Sequence, residues 1–190
     1  MCKGKQNLGL VKRTCGRYIK EVAARKTLYC SLVRPQLEYA SSVWSPYTVK
    51  NIKLIEDIQR RATKFILNYP EDMCYTERLH LLELQPLEHR RNITDLILLY
   101  KIRNNSIDTN LKQYLIPSTS SYNTRNFDKH NFTQSLHHKQ TDYRATFLPR
   151  TVGLWNKLPT EAKLMNLKLS QFKRKVTSYY HDQLSQYKPH

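Results

Sequence analysis

The chain has 190 residues, 39% of them hydrophobic, and a formal net charge of +17. That apolar content is enough for a core and excludes a wholly disordered chain, while the charge implies an anionic partner. Only four glycines, against abundant Leu, Ile and Lys, argue for helices over a turn-rich sandwich.

A basic helix is predicted over residues 7–15, then a longer one over 19–40. Pro35 should kink the latter, because proline removes a backbone donor and clashes with the preceding turn. Ser45-Pro46 closes that segment, and Thr48 is the cap expected for a helix that continues to residue 67. Ile52, Ile55, Gln59, Ala62 and Ile66 follow one stripe of it. On the same helix Glu56 stands four residues before Arg60, and Asp57 four before Arg61, which is the spacing of surface ion pairs.

A short helix over 76–82 leads to Pro86, a favourable first-turn residue for the next helix. That helix places Ile93, Leu96, Ile97 and Tyr100 on one face and stops at Asn104-Asn105-Ser106. A short helix at 111–115 precedes Pro117. Residues 118–143 are polar, without helical periodicity, and read as a long loop with room for strand pairing over 127–136. A final helix over 170–184 should bury Phe172, Val176 and Tyr179. The expected fold class is mainly α: a single helical-bundle domain over 1–117, a polar insert over 118–143, and a C-terminal element with a basic helix over 144–190 that packs on the bundle.

The charge is uneven along the chain. Residues 1–30 carry eight basic and one acidic side chain, net +7, and residues 144–190 carry nine and two, again net +7. Residues 31–100 balance, with nine of each sign. The two ends are therefore the contact candidates: Lys12, Arg13, Arg17 and Lys20 at one, and Arg144, Arg150, Lys173, Arg174 and Lys175 at the other. Tyr18, Phe147, Tyr179 and Tyr180 are interleaved with them. Lysine and arginine neutralise phosphates, and aromatic faces stack on unpaired bases. One such cluster alone reads as a solvated helix face; the summed charge moves the reading to the backbone of RNA or DNA, without sequence specificity.

Catalytic patterns are missing. Nucleotidyl transfer needs carboxylates that hold two divalent ions about 4 Å apart, whereas the acidic residues here are scattered. Cys74 with His80, and His130 with His137-His138, lack the second half of a zinc site. No Gly-rich phosphate loop and no nucleophile motif occurs, so no cofactor or metal is expected. Cys2, Cys15, Cys30 and Cys74 have no paired spacing and read as reduced thiols. The longest aliphatic run, residues 96–99, is too short for a bilayer, so no membrane association is expected. With no signal-peptide pattern at residues 1–5, the chain reads as intracellular, nuclear or cytoplasmic.

Six segments together resemble a known family. "LGLVKRTC", "KTLYCSLVRPQLEYASSVWSPY" and "IKLIEDIQRRATKFIL" look like the region just downstream of the palm in reverse transcriptases of non-LTR, LINE-type retrotransposons. "ERLHLLELQPLEHRRNITDLILLYKI" resembles that family's next helices, and "YRATFLPRTVGLWNKLP" with "LSQFKRKV" its closing element. The order is kept over nearly the whole chain. The resemblance implies a helical, thumb-side extension that touches template–primer or RNA. It further implies that Pro35 marks a kink by which Leu32, Leu37 and Tyr39 face one core, with Trp44 as a plug at the following junction. Burial without a ligand role is the plainer reading of both Trp44 and Trp155.

The family's catalytic Ala-Asp-Asp loop, fingers and endonuclease have no counterpart here, and Met1 falls where the interior of a longer polyprotein would be. The expectation is therefore a non-catalytic fragment of a reverse transcriptase. Two rivals stand beside it: a helical module docking on an acidic protein, and a degraded gene copy without a selected role. Protein partners are not indicated by any motif.

Overall fold

The computed structural model describes residues 3–69, 72–118, 128–133, 146–164 and 167–186. Helix α1 (Lys3–Cys15) buries Leu8 and Val11 and starts earlier than its sequence pattern suggests. It ends at Gly16, where a Cβ would lie 2.3 Å from the Lys12 carbonyl oxygen and 3.3 Å from the Phe65 ring. Glycine is what allows this close approach.

The predicted long second helix is present in three pieces. Helix α2 (Val22–Leu28) widens into a π-helical turn, Tyr29–Val33, before α3 (Arg34–Glu38) begins with Pro35 in its first turn. The wider turn takes the place of the i−4 bond that Pro35 cannot make. It also sets the inward face. Tyr29, Val33 and Leu37, four residues apart, are buried, while Leu32 is 49% and Tyr39 80% exposed. Of the three residues expected to share a core, only Leu37 does.

Ala40 adopts a left-handed conformation, φ 51°, and turns the chain into the single turn α4 (Ser41–Trp44). Trp44 is no buried plug: it is 41% exposed. Its indole N–H donates to the Tyr39 carbonyl, so its polar edge is satisfied locally and needs no interior partner.

Helix α5 (Val49–Ile66) is capped as predicted, with Thr48 Oγ1 accepting from the Asn51 N–H at 3.4 Å. Its buried face holds Ile58, Ala62, Phe65 and Ile66 together with Gln59, Thr63 and Glu56. Glu56 does not meet Arg60 on the surface. It accepts from the Tyr75 hydroxyl and from the Leu87 N–H at 3.1 Å, and Asp57 faces Arg60 at 3.8 Å instead. These two hydrogen bonds offset part of the cost of burying the carboxyl group, so Glu56 turns inward and leaves the surface pairing to Asp57.

Gln59 extends this network. It accepts from the Tyr29 hydroxyl at 2.6 Å and donates to Tyr75 Oη at 3.1 Å and the Gln85 carbonyl at 3.0 Å. The π turn, α5, α6 (Tyr75–Leu81) and the start of α7 (Leu87–Arg103) are thereby tied together. Cys74 caps α6, its sulfur accepting from the Glu77 N–H while Glu77 accepts from the Cys74 N–H.

The described chain divides into two compact units, residues 3–91 with 183–186, and residues 92–182. The division falls inside α7, so residues 92–117 group with the C-terminal elements, not with the first helices. In the second unit α8 (Phe147–Asn156), α9 (Thr160–Lys163) and α10 (Leu169–Asp182) surround Trp155. Trp155 is fully buried, stacks on Phe172 at 5.8 Å and donates to the His130 carbonyl at 2.9 Å. Tyr100 stacks on the same Phe172 at 4.2 Å.

Helix α10 buries Phe172, Val176 and Tyr180; Tyr179, expected inside, is only half-buried. Asn156 clasps the Phe132 backbone with two bonds, 3.0 and 2.9 Å. The buried Lys163 ammonium reaches Asp128, Asn131 and the Asn156 carbonyl. One antiparallel bridge, Pro117 with Phe132, is the β-structure present among the described residues. Of the predicted polar insert, residues 119–127 and 134–143 lie outside them.

Candidate nucleic-acid interface

Four of the predicted cations lie at the end of α1 and just after it. Arg13, Arg17 and Lys20 are exposed, and Lys12 is half-buried with its ammonium 5.7 Å from the Phe65 ring and 5.5 Å from the Tyr69 ring. Among the described residues no carboxylate pairs with any of these four; the ion pairs of this unit engage Lys26, Arg60 and Arg90. Glu21, the nearest acidic residue in sequence, is itself exposed.

Arg25 organises this end from beneath. It is 4% exposed and donates to the carbonyls of Gly16, Ile19 and Phe65 and to Asn68 Oδ1. All four acceptors are neutral, and arginine keeps its charge. The sites it holds are the carbonyl-rich C-terminal ends of α1 and α5, where a cation is favoured. Sequence reading passed over Arg25, since an arginine in Val-Ala-Ala-Arg-Lys-Thr-Leu carries no mark of burial. It also passed over Tyr69.

The second group lies on α10. Lys173, Arg174 and Lys175 are exposed, opposite the face formed by Phe172, Val176 and Tyr180. No described carboxylate pairs with them, and the acidic residue on their helix, Asp182, stands beside His181 at 4.0 Å. Arg150 behaves differently from its expected role. Its guanidinium closes on the fully buried Asp95, Nη2 at 2.9 Å and Nε at 3.0 Å from one carboxylate oxygen. Only 14% of its side chain is exposed, so Arg150 serves the interior. Arg144 lies outside the described residues.

Among the described residues no group of three or more His, Cys, Asp or Glu is placed to hold a metal ion. Cys74, one half of the weak zinc pattern, is occupied as a helix cap. No described helix is long and apolar enough to cross a membrane. No protein-family model, no curated protein and no solved structure matches the chain.

Proposed function

We propose that the chain is a non-catalytic, thumb-side piece of a LINE-type reverse transcriptase that holds RNA or DNA by its phosphate backbone. The observation that carries the reading is the contrast between two sets of cations. Arg150, Arg90 and Lys163 are closed on carboxylates, whereas Arg13, Arg17, Lys20, Lys173, Arg174 and Lys175 stand exposed with none among the described residues. Folding a chain of net charge +17 with these groups unanswered leaves a field that an anionic polymer neutralises. The ordered run of family-like segments supports the proposed origin, and the scattered carboxylates support the non-catalytic reading.

A second reading, docking on a protein, is favoured by one feature. Val43, Tyr47 and Val49 are 87%, 55% and 50% exposed next to Trp44. Salt separates the two readings. On the order of 5–8 phosphate contacts give a log–log slope of affinity on salt of about −3.5 to −7. Fluorescence anisotropy with a generic RNA across a salt series reads this slope. A flat response, with a protein partner retained in excess RNA, would favour docking.

A further inference from the structure

We infer that the junction of α1 and α5 is a site for single-stranded nucleic acid, with Tyr18 and Tyr69 as base-stacking platforms beside a phosphate track of Lys12, Arg13, Arg17 and Lys20. This rests on the nucleic-acid reading above and adds the strand form and the contacts that select it.

Tyr69 is the first observation. Asn68 and Tyr69 follow α5 in consecutive left-handed conformations, φ 57° and 59°. Asparagine tolerates this region, but a bulky side chain there is an outlier. Such conformations persist only where the surroundings hold them. Here the Tyr69 N–H donates to the Lys64 carbonyl at 2.7 Å, and Asn68 is gripped by Arg25. The outcome is a tyrosine held on the surface, 56% exposed, beside the Lys12 ammonium.

Tyr18 is the second. It is 81% exposed and lies two residues beyond Gly16, whose carbonyl accepts from the same Arg25. One buried guanidinium therefore fixes both chain segments that carry the aromatic side chains. Its own charge meets only neutral acceptors, which adds to the positive potential between them. The acidic residues flanking the site in sequence that the structure describes, Glu21 and Asp72, are both exposed, and neither forms an ion pair among the described residues.

Cations alone would suit a duplex equally well. Exposed tyrosine faces gain only from bases that are unstacked and unpaired, which is the chemistry of a single strand. The lysines and arginines of the same end, with Lys12 beside Tyr69, then neutralise the backbone of the bound strand.

The test uses the full chain and three probes: a short single-stranded RNA, the same strand annealed to its complement, and an abasic strand of equal length. The parent should hold the base-bearing strand more tightly than the abasic one. Y18A/Y69A should lose roughly tenfold or more of single-strand affinity, from stacking alone, with an unchanged salt slope and unchanged duplex affinity. Y69N, which tolerates the left-handed backbone, and Y18A, at an exposed position, keep the test valid should the double variant fold poorly; each should lose affinity several-fold while melting like the parent. Parent-like binding by these variants, or equal affinity of the parent for base-bearing and abasic strands, would overturn the stacking site and leave backbone binding standing. Absence of salt-dependent binding to all three probes would overturn both.

Discussion

The Arg25 guanidinium lies 4.5 Å from the centre of the Phe65 ring and donates at 2.7 Å to the carbonyl of that same residue. One side chain thus seals the end of α5 against α1 by a stack and a hydrogen bond together. R25A should destabilise the fold by about 3 kcal/mol, since it leaves buried carbonyls without donors. R25K should recover little, because an ammonium lacks the planar fork that reaches Gly16, Ile19, Phe65 and Asn68 at once. Urea denaturation of the two variants checks this; full recovery by lysine would show that charge alone matters there.

Arg150 offers the opposite case, a cation predicted for binding and found inside. R150A should cost about 3–5 kcal/mol, because it strands the Asp95 carboxylate in the interior. RNA affinity of the folded fraction should stay at the parent value. Denaturation and anisotropy on the same preparation decide the matter, and a stable variant with weak RNA binding would return Arg150 to the nucleic-acid surface.

Trp155 anchors the second unit, touching Phe132 and Phe172 and donating to His130. Truncation to alanine should cost about 3–5 kcal/mol, a large part of a small domain's stability. W155F keeps the stack but leaves the His130 carbonyl without its donor, and should fall between parent and alanine. Thermal melts followed by circular dichroism give the order.

What could be read in the sequence was what depends on neighbours in the chain. Thr48, the stop at Asn104–Ser106 and the Phe172–Val176 stripe were legible because caps and helical spacing are local. Pro35 was legible as a disruption, but the π turn was not, since it depends on how Tyr29 and Val33 reach the core. The pairing of Asp57 rather than Glu56 with Arg60 was hidden for a similar reason: Tyr75 and Leu87, distant in sequence, draw Glu56 inward. Basic residues were visible as a set, yet which of them face solvent is decided by partners such as Asp95 that no local pattern announces.

The same Glu56 gives a pH dependence. Burial raises its pKa above the ordinary 4.5, against the opposing hydrogen bonds from Tyr75 and Leu87. A folded pKa above the unfolded one means the neutral carboxyl is favoured in the fold. Its contribution to stability is full below 4.5 and is lost as pH rises through the raised value. The stability of E56Q relative to the parent should therefore increase from acid towards neutral pH. Urea midpoints of both proteins across that range test it, and a constant difference would mean Glu56 titrates as it does in the unfolded chain.

The central claim, that exposed unpaired cations at the two ends grip a phosphate backbone, is tested most directly by neutralising them group by group. The measurement is the salt slope of anisotropy-detected RNA binding for K173A/R174A/K175A, K12A/R13A and R60A. Arg60 is the control, because Asp57 at 3.8 Å and the Tyr75 ring at 4.9 Å already engage it. The account predicts weaker binding in the first two variants, with a slope flatter by about 0.7–0.9 for each phosphate that the protein no longer neutralises, and R60A binding like the parent. A larger drop in affinity for R60A than for either end variant, or unchanged slopes throughout, would contradict it.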